Sequence, residues 1–131
     1  MKLLDSDHCV AILRGRLDLG DRVAVDEELA VSAISVGELV HGAYKSLHAS
    51  DNLARLDVLL SMLVSLPYDE AAARRFGQLK ARLERTGEKL SDPDLQIASI
   101  ALVYETPLVT HNLAHFQRLA DDGLQLQDWL A

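Results

Sequence analysis

The stretch Leu95–Tyr104 is apolar on nearly every side, with Leu95, Ile97, Ala98, Ile100, Ala101, Leu102 and Val103 spread round a helical wheel. A helix hydrophobic all round is a central, buried one and needs cover on each face. The rest of the chain must supply that cover. Its 131 residues suit one domain, 1–131, long enough to bury most of its apolar surface without staples. The composition, 49 % hydrophobic and 25 % charged, is that of a soluble globular protein.

Short apolar segments alternate with helical patterns along the chain. Met1–Leu4 reads as a first strand and Ala30–Ser35, "AVSAIS", as a second. Val64–Leu66, Leu108–Thr110 and Leu124–Leu126 are further strand candidates. Between them, Cys9–Leu13 starts a helix closed near Gly15, and Leu17–Leu29 reads as partly helical. Gly37–Leu47, with Leu39, Val40, Ala43, Tyr44 and Leu47, and Asn52–Leu63, with Leu53, Leu56, Leu59, Leu60 and Leu63, carry the spacing of amphipathic helices. Asp69–Thr86 is a helix capped by Asp69 and ended by Gly87, and Leu113–Ala120 is a short one. Strands alternating with helices predict an α/β fold with a mainly parallel sheet.

In such sheets ligands bind beyond the carboxyl ends of the strands. Asp5-Ser6-Asp7 follows the first strand, Gly37-Glu38 the second, and His111-Asn112 follows "LVT", with His115 one turn on. The segment "KLSDPDLQIAS", Lys89–Ser99, opens the central helix and sets Asp92 and Asp94 at its first turn. Two caps compete there. Ser91-x-x-Asp94 fits a capping box, and Pro93 at the first helical position makes Asp92 the cap. Asp5, Asp7 and Glu38 have equally plain readings as caps or as acids favoured by a helix dipole. If the edges coincide, however, carboxylates from distant segments meet. Such a cluster calls for a hard cation, Mg²⁺ or Mn²⁺, which can activate water against a phosphate.

Charge and targeting narrow the classes further. The net charge of −7 excludes a broad electrostatic grip on nucleic acid and permits a basic partner or a cation-neutralised acid cluster. The N-terminus is no signal peptide and the hydrophobic runs are too short for a bilayer, so a cytoplasmic location is expected. The lone Cys9, among Val10, Ile12 and Leu13, reads as a buried small hydrophobe.

Four of these pieces, in order and spanning nearly the whole chain, resemble the PIN-domain ribonucleases of the VapC type, toxins of type II toxin–antitoxin pairs. They are "KLLDSD", "SAISVGELVHGAYKS", "GEKLSDPDLQIASIAL", and "LVTHNLAHFQRL" followed by "LQLQDW". The resemblance implies a three-layer α/β/α domain with Asp5, Glu38 and Asp94 as catalytic, metal-binding acids. It sets Ser6, Thr110 and Asn112 at the edge of the site. Where many members carry a fourth acid this chain has His115, and Asn112 is not acidic either. The expectation is therefore three acids and one tightly held Mg²⁺, with His111 and His115 as candidates to touch phosphate or cation. Asp121 and Asp122 have no assigned place in the site. In this reading Asp92, with Pro93, starts the helix and Asp94 is the ligand.

The implied activity is hydrolysis of RNA phosphodiesters, tRNA or another structured RNA among the targets. The implied partners are a VapB-like antitoxin and a second copy in a homodimer. The leucines of Asn52–Leu63 serve either the core or that interface. Two rivals stand beside this reading. A haloacid-dehalogenase-type phosphatase would use Asp5 as nucleophile and Asp7 as acid/base, but no lysine lies beyond Lys89 and Glu38 and Asp94 go unexplained. A non-catalytic PIN-like binding module would keep the fold without cleavage.

Overall fold

A computed structural model describes residues 1–20 and 22–131. Its centre is a five-stranded sheet in the order β3-β2-β1-β4-β5. The strands are β1 (Lys2–Leu4), β2 (Leu29–Ser32), β3 (Val64–Leu66), β4 (Leu108–Val109) and β5 (Leu126–Gln127), and every pairing is parallel. Parallel neighbours need crossover connections, and the helices provide them. They are α1 (Ser6–Leu13), α2 (Ala33–Lys45), α3 (Ala49–Ser61), α4 (Glu70–Arg85), α5 (Asp92–Val103) and α6 (Leu113–Phe116), the last continued by a 3-10 helix over Gln117–Asp122.

Successive strand residues point to opposite faces, and here both faces are buried. Leu3, Ala30 and Leu108 join Leu79, Leu83, Leu95, Ile97 and Phe116 in a core beneath α4, α5 and α6. Leu4, Val31 and Val109 join Cys9, Leu39, Leu56 and Leu59 in a second core beneath α1, α2 and α3. Two cores on one sheet make the three-layer α/β/α architecture. Leu95, Ile97, Ala98, Ile100 and Ala101 are each 1 % exposed or less, so α5 is interior as its all-round apolarity requires. The leucines of α3 resolve toward packing, since Leu56 and Leu59 are buried in the second core. Cys9 is buried there as well, and burial pushes its thiol up to about 12.

Several boundaries differ from the sequence expectation. The first helix begins at Ser6 rather than Cys9, because Asp5 caps it with a carboxylate that accepts the Ser6 N–H. Strand β2 ends at Ser32, not Ser35: the Ser32 hydroxyl accepts the Ser35 N–H at 3.0 Å and starts α2 there. Glu38 therefore lies in the second turn of α2 rather than the first. The described residues of Leu17–Leu29 before β2 form turns instead of helix. Asp18 accepts the Gly20 N–H at 2.9 Å, a local bond that competes with a helical ladder. The last strand starts at Leu126 rather than Leu124, after a glycine, Gly123, in the left-handed conformation at φ 98°.

Candidate active site

The carboxyl edge of the sheet is where chain reversals leave polar groups together. The Asp5 N–H bonds Val109 O at 2.9 Å, which locks the residue after β1 beside the residue after β4. That neighbour is Thr110, fully buried, and its hydroxyl donates to Asp5 Oδ2 at 2.8 Å. The other Asp5 oxygen takes the Ser6 N–H at 2.8 Å. Asp5 is thus both the α1 cap and a buried carboxylate, 6 % exposed. Capping and a place in the site, alternatives on spacing alone, coexist in one residue.

Ser6 links the second acid to the first, since its hydroxyl donates to Glu38 Oε1 at 3.4 Å. The third acid, Asp94, arrives on the first turn of α5, with its side chain 22 % exposed. The electrostatics tie all three together. Burial first, then the charge of Asp7, raises the Asp5 carboxyl to about 6, and Asp94 adds to the rise against the Thr110 and Ser6 hydrogen bonds. Partial desolvation raises Glu38 as well, with Asp94 again adding. The structure therefore brings Asp5, Glu38 and Asp94 to one edge, with Ser6 and Thr110 between them.

The helix start at Asp94 is resolved differently from the expectation. Ser91, not Asp92, is the cap of α5: its hydroxyl accepts the Asp94 N–H at 3.4 Å. Asp92 points away, into an ion pair with Lys80 at 2.9 Å. Pro93 sits in the first turn, where its missing N–H goes unneeded. Asn112 and His115 close the rim. Asn112 donates its backbone N–H to the Thr110 hydroxyl at 3.1 Å, its side chain lies 3.0 Å from His115 Nδ1, and that nitrogen stands 3.7 Å from Asp94 Oδ2. The residue at the fourth-acid position thus faces the third acid.

A second polar network adjoins the first and escaped the sequence reading. Asp7 accepts from His8 Nδ1 at 2.7 Å and from the His111 N–H at 2.9 Å. Burial works against its charge, but these bonds win and hold the Asp7 carboxyl below the usual range. His8 is fully buried, and its Nε2 accepts the Trp129 N–H at 3.1 Å. That partner places the ring proton on Nδ1, toward Asp7. His111 Nδ1 lies 2.8 Å from Asp128, whose carboxyl is also lowered: the Leu130 N–H and His111 outweigh its desolvation. The only sequence signal was the position of Asp7 two residues past Asp5 and the closing "QDW", neither of which names a partner.

The donor set suits a hard divalent cation: carboxylate oxygens, one of them carrying a charge that burial and two neighbouring acids disfavour and that a bound cation would offset. Among the described residues no three His, Cys, Asp or Glu side chains already surround one point. Direct ligation by all three acids needs side-chain rotation, whereas a hydrated Mg²⁺ needs only one or two carboxylates and keeps its waters. The phosphatase pattern finds no support. Asp122, which with Asp121 would have to mimic the later acidic pair of such an enzyme, is engaged by Arg82 and Arg75 of α4, and Asp7 is tied to His8 and His111.

Comparison with known proteins agrees with this geometry. Residues 2–122 match the PIN domain family model, and the chain belongs to the PIN-domain family. It is of the VapC ribonuclease type, a metal-dependent class of hydrolase. The chain is 33 % identical over 129 residues to the tRNA(fMet)-specific endonuclease VapC of Salmonella typhimurium, covering 97 % of this chain and 96 % of that protein. It is 30 % identical over 131 residues to Ribonuclease VapC2 of Rickettsia felis, covering 97 % and 96 %. Among solved structures, DNA-bound VapBC from Salmonella typhimurium superposes with a TM-score of 0.89 at 32 % identity, covering 98 % of this chain and 99 % of that one. VapBC2 from Rickettsia felis, bound to a DNA fragment from its promoter, superposes with a TM-score of 0.88 at 30 % identity, covering 98 % of each chain. No helix among the described residues is long and apolar enough to cross a membrane.

Proposed function

We propose that this chain is the toxin of a toxin–antitoxin pair, an endoribonuclease that works with Mg²⁺, or Mn²⁺ in its place, held by Asp5, Glu38 and Asp94. The observation that carries the reading is the meeting of these three acids, 89 positions apart from first to last, at one sheet edge, with buried Asp5 raised to about 6. A cation held by these acids would neutralise the cluster and supply Lewis-acid chemistry for hydrolysis of a phosphodiester. The chain's own residues prepare that site. Thr110 and the Ser6 N–H orient both oxygens of Asp5, Ser6 steers Glu38, and the buried α5 holds Asp94 in place. His111 and His115, both exposed at the rim, are donors in reach of an incoming phosphate.

Transfer RNA is the substrate class to try first, because the Salmonella relative is named for tRNA(fMet). The solved neighbours are VapBC complexes, so a VapB-like antitoxin is the proposed partner. An acidic toxin suits an antitoxin that brings a basic side chain to the acids. Homodimerisation belongs to the same proposal. Tyr44, Leu47, Val58 and Met62, all more than 60 % exposed on α2, α3 and their flanks, are apolar surface that a partner would cover. The test is cleavage of bacterial tRNA by purified chain with and without Mg²⁺, beside Asp5→Asn and Asp94→Asn. Cation-dependent cleavage lost in both variants is the expected result. Equal activity in all three proteins would sink the metal-cluster model, and no cleavage at all would leave a binding module.

A further inference from the structure

One groove of about 870 Å³ meets the acid cluster at Glu38 and leads away from it. Ser6, Asp7 and Glu38 line one end, and Arg14, Arg16 and Arg55 line the other. Helix α1, eight residues long, runs between the two ends, which separates them by about 12 Å. All three arginines are exposed, and none lies within ion-pair distance of a carboxylate among the described residues. Arg55 reaches across to the Leu13 carbonyl at the end of α1, which fixes its guanidinium at the groove wall. The floor between the ends is apolar, with Val10, Leu39 and Leu56.

A chain with net charge −7 repels a polynucleotide at long range. Any strand cleaved at the acid end must therefore be held locally. Guanidinium groups suit that task, because their forked donors match phosphate oxygens and stay charged at every working pH. We propose that Arg14, Arg16 and Arg55 form the seat for the phosphates flanking the cleavage position, a few nucleotides from it along a single strand of RNA. The apolar floor takes the base faces between. This rests on the nuclease reading for the direction of the strand, since continuity with the acid cluster is what favours RNA over an acidic segment of an antitoxin.

The test uses the full chain carrying Asp94→Asn, so that the probe stays intact, and a labelled single-stranded RNA of about 20 nucleotides. Arg14→Gln/Arg16→Gln/Arg55→Gln should weaken binding about tenfold near 0.1 M salt and flatten the salt dependence by about 0.7 for each phosphate no longer neutralised. The corresponding triple Lys variant keeps the charge and should retain most of that slope. Arg74→Gln/Arg85→Gln, on α4 beyond the sheet, should change neither quantity. If Arg55→Gln unfolds the chain, the Arg14→Gln/Arg16→Gln pair must still lower the slope. An unchanged dissociation constant and slope in the groove variants overturns the proposal. So does normal RNA binding with impaired antitoxin binding, which assigns the groove to the antitoxin. Failure of the Asp94-bearing chain to cleave tRNA, with arginine-dependent RNA binding intact, removes the nuclease reading and leaves the phosphate seat standing.

Discussion

Helices α4 and α5 both open on acids, and the acids end up doing different work. At α4, Asp69 is the cap: its carboxylate accepts the Ala72 N–H at 3.0 Å, and its other oxygen takes the Tyr104 hydroxyl at 2.9 Å. Those bonds, the Ala72 N–H first, hold its carboxyl below the usual range. At α5 a serine, Ser91, does the capping, and Asp94 is left without that duty. The helices differ in their bodies too. Helix α4 is amphipathic and shows one face to solvent, while α5 is buried on nearly all sides. The acid on the surface helix is held first by the N–H of its own turn, with one added bond from Tyr104. An acid at the mouth of an interior helix has its neighbours chosen by the strands that surround it.

The largest effect that separates the two starts is catalytic. Asp94→Asn should lower the rate of Mg²⁺-dependent tRNA cleavage about a hundredfold or more, while Asp69→Asn, which still caps, should leave it near wild type. Comparable losses in single-turnover assays of both variants would break the comparison.

The next effect is on stability against pH. The Asp5 carboxyl is raised to about 6 in the fold from the ordinary 3.8, so the folded state binds its proton more tightly than the unfolded one. The cation-free protein should therefore lose stability as pH rises from about 4 to about 6, by at most about 3 kcal/mol. Glu38, also raised, works in the same direction. The lowered carboxyls, Asp7 and Asp128, act at the acid side, where stability falls as pH drops below the carboxylate range. Urea melts at several pH values should show the slope, and Asp5→Asn or added Mn²⁺ should flatten it. A slope unchanged by Asp5→Asn would assign it elsewhere.

Smaller effects sharpen the contrast. Asp69→Ala should lower the melting temperature by about a few degrees through loss of the cap, with cleavage unchanged. Smallest of all, Asp92→Asn removes only an exposed ion pair with Lys80 and should keep cleavage within about twofold of wild type. A large loss on Asp92→Asn would mean that the two acids of α5 share the site.

Much of this is readable in the chain itself. The strand and helix order follows from short apolar runs set between amphipathic ones, and the central place of α5 from its apolar wheel. Asp5, Glu38 and Asp94 are legible as acids at strand and helix ends, and the family resemblance implies the roles proposed for them. The helical reading of Leu17–Leu29 fails where a side chain bonds its own backbone at Asp18. The extension of β2 to Ser35 fails in the same way, at the Ser32 cap. Both are local contests between a side-chain hydrogen bond and a regular ladder, and apolar spacing carries no record of which one wins.

By itself, then, the sequence determined the layered α/β plan and which residue types wait at the ends of the elements, because periodicity and capping are properties of neighbours along the chain. Only the tertiary structure decided which of those residues meet. His8 finds Trp129 across 121 positions and Thr110 finds Asp5 across 105, through parallel pairing that sets Leu4 against both Val31 and Val109. The same packing made Asp5 a cap and a member of the acid cluster at once, turned Asp92 toward Lys80, and left Asp94 facing His115. Long-range partners are set by how strands and helices pack, and no spacing within one segment encodes them.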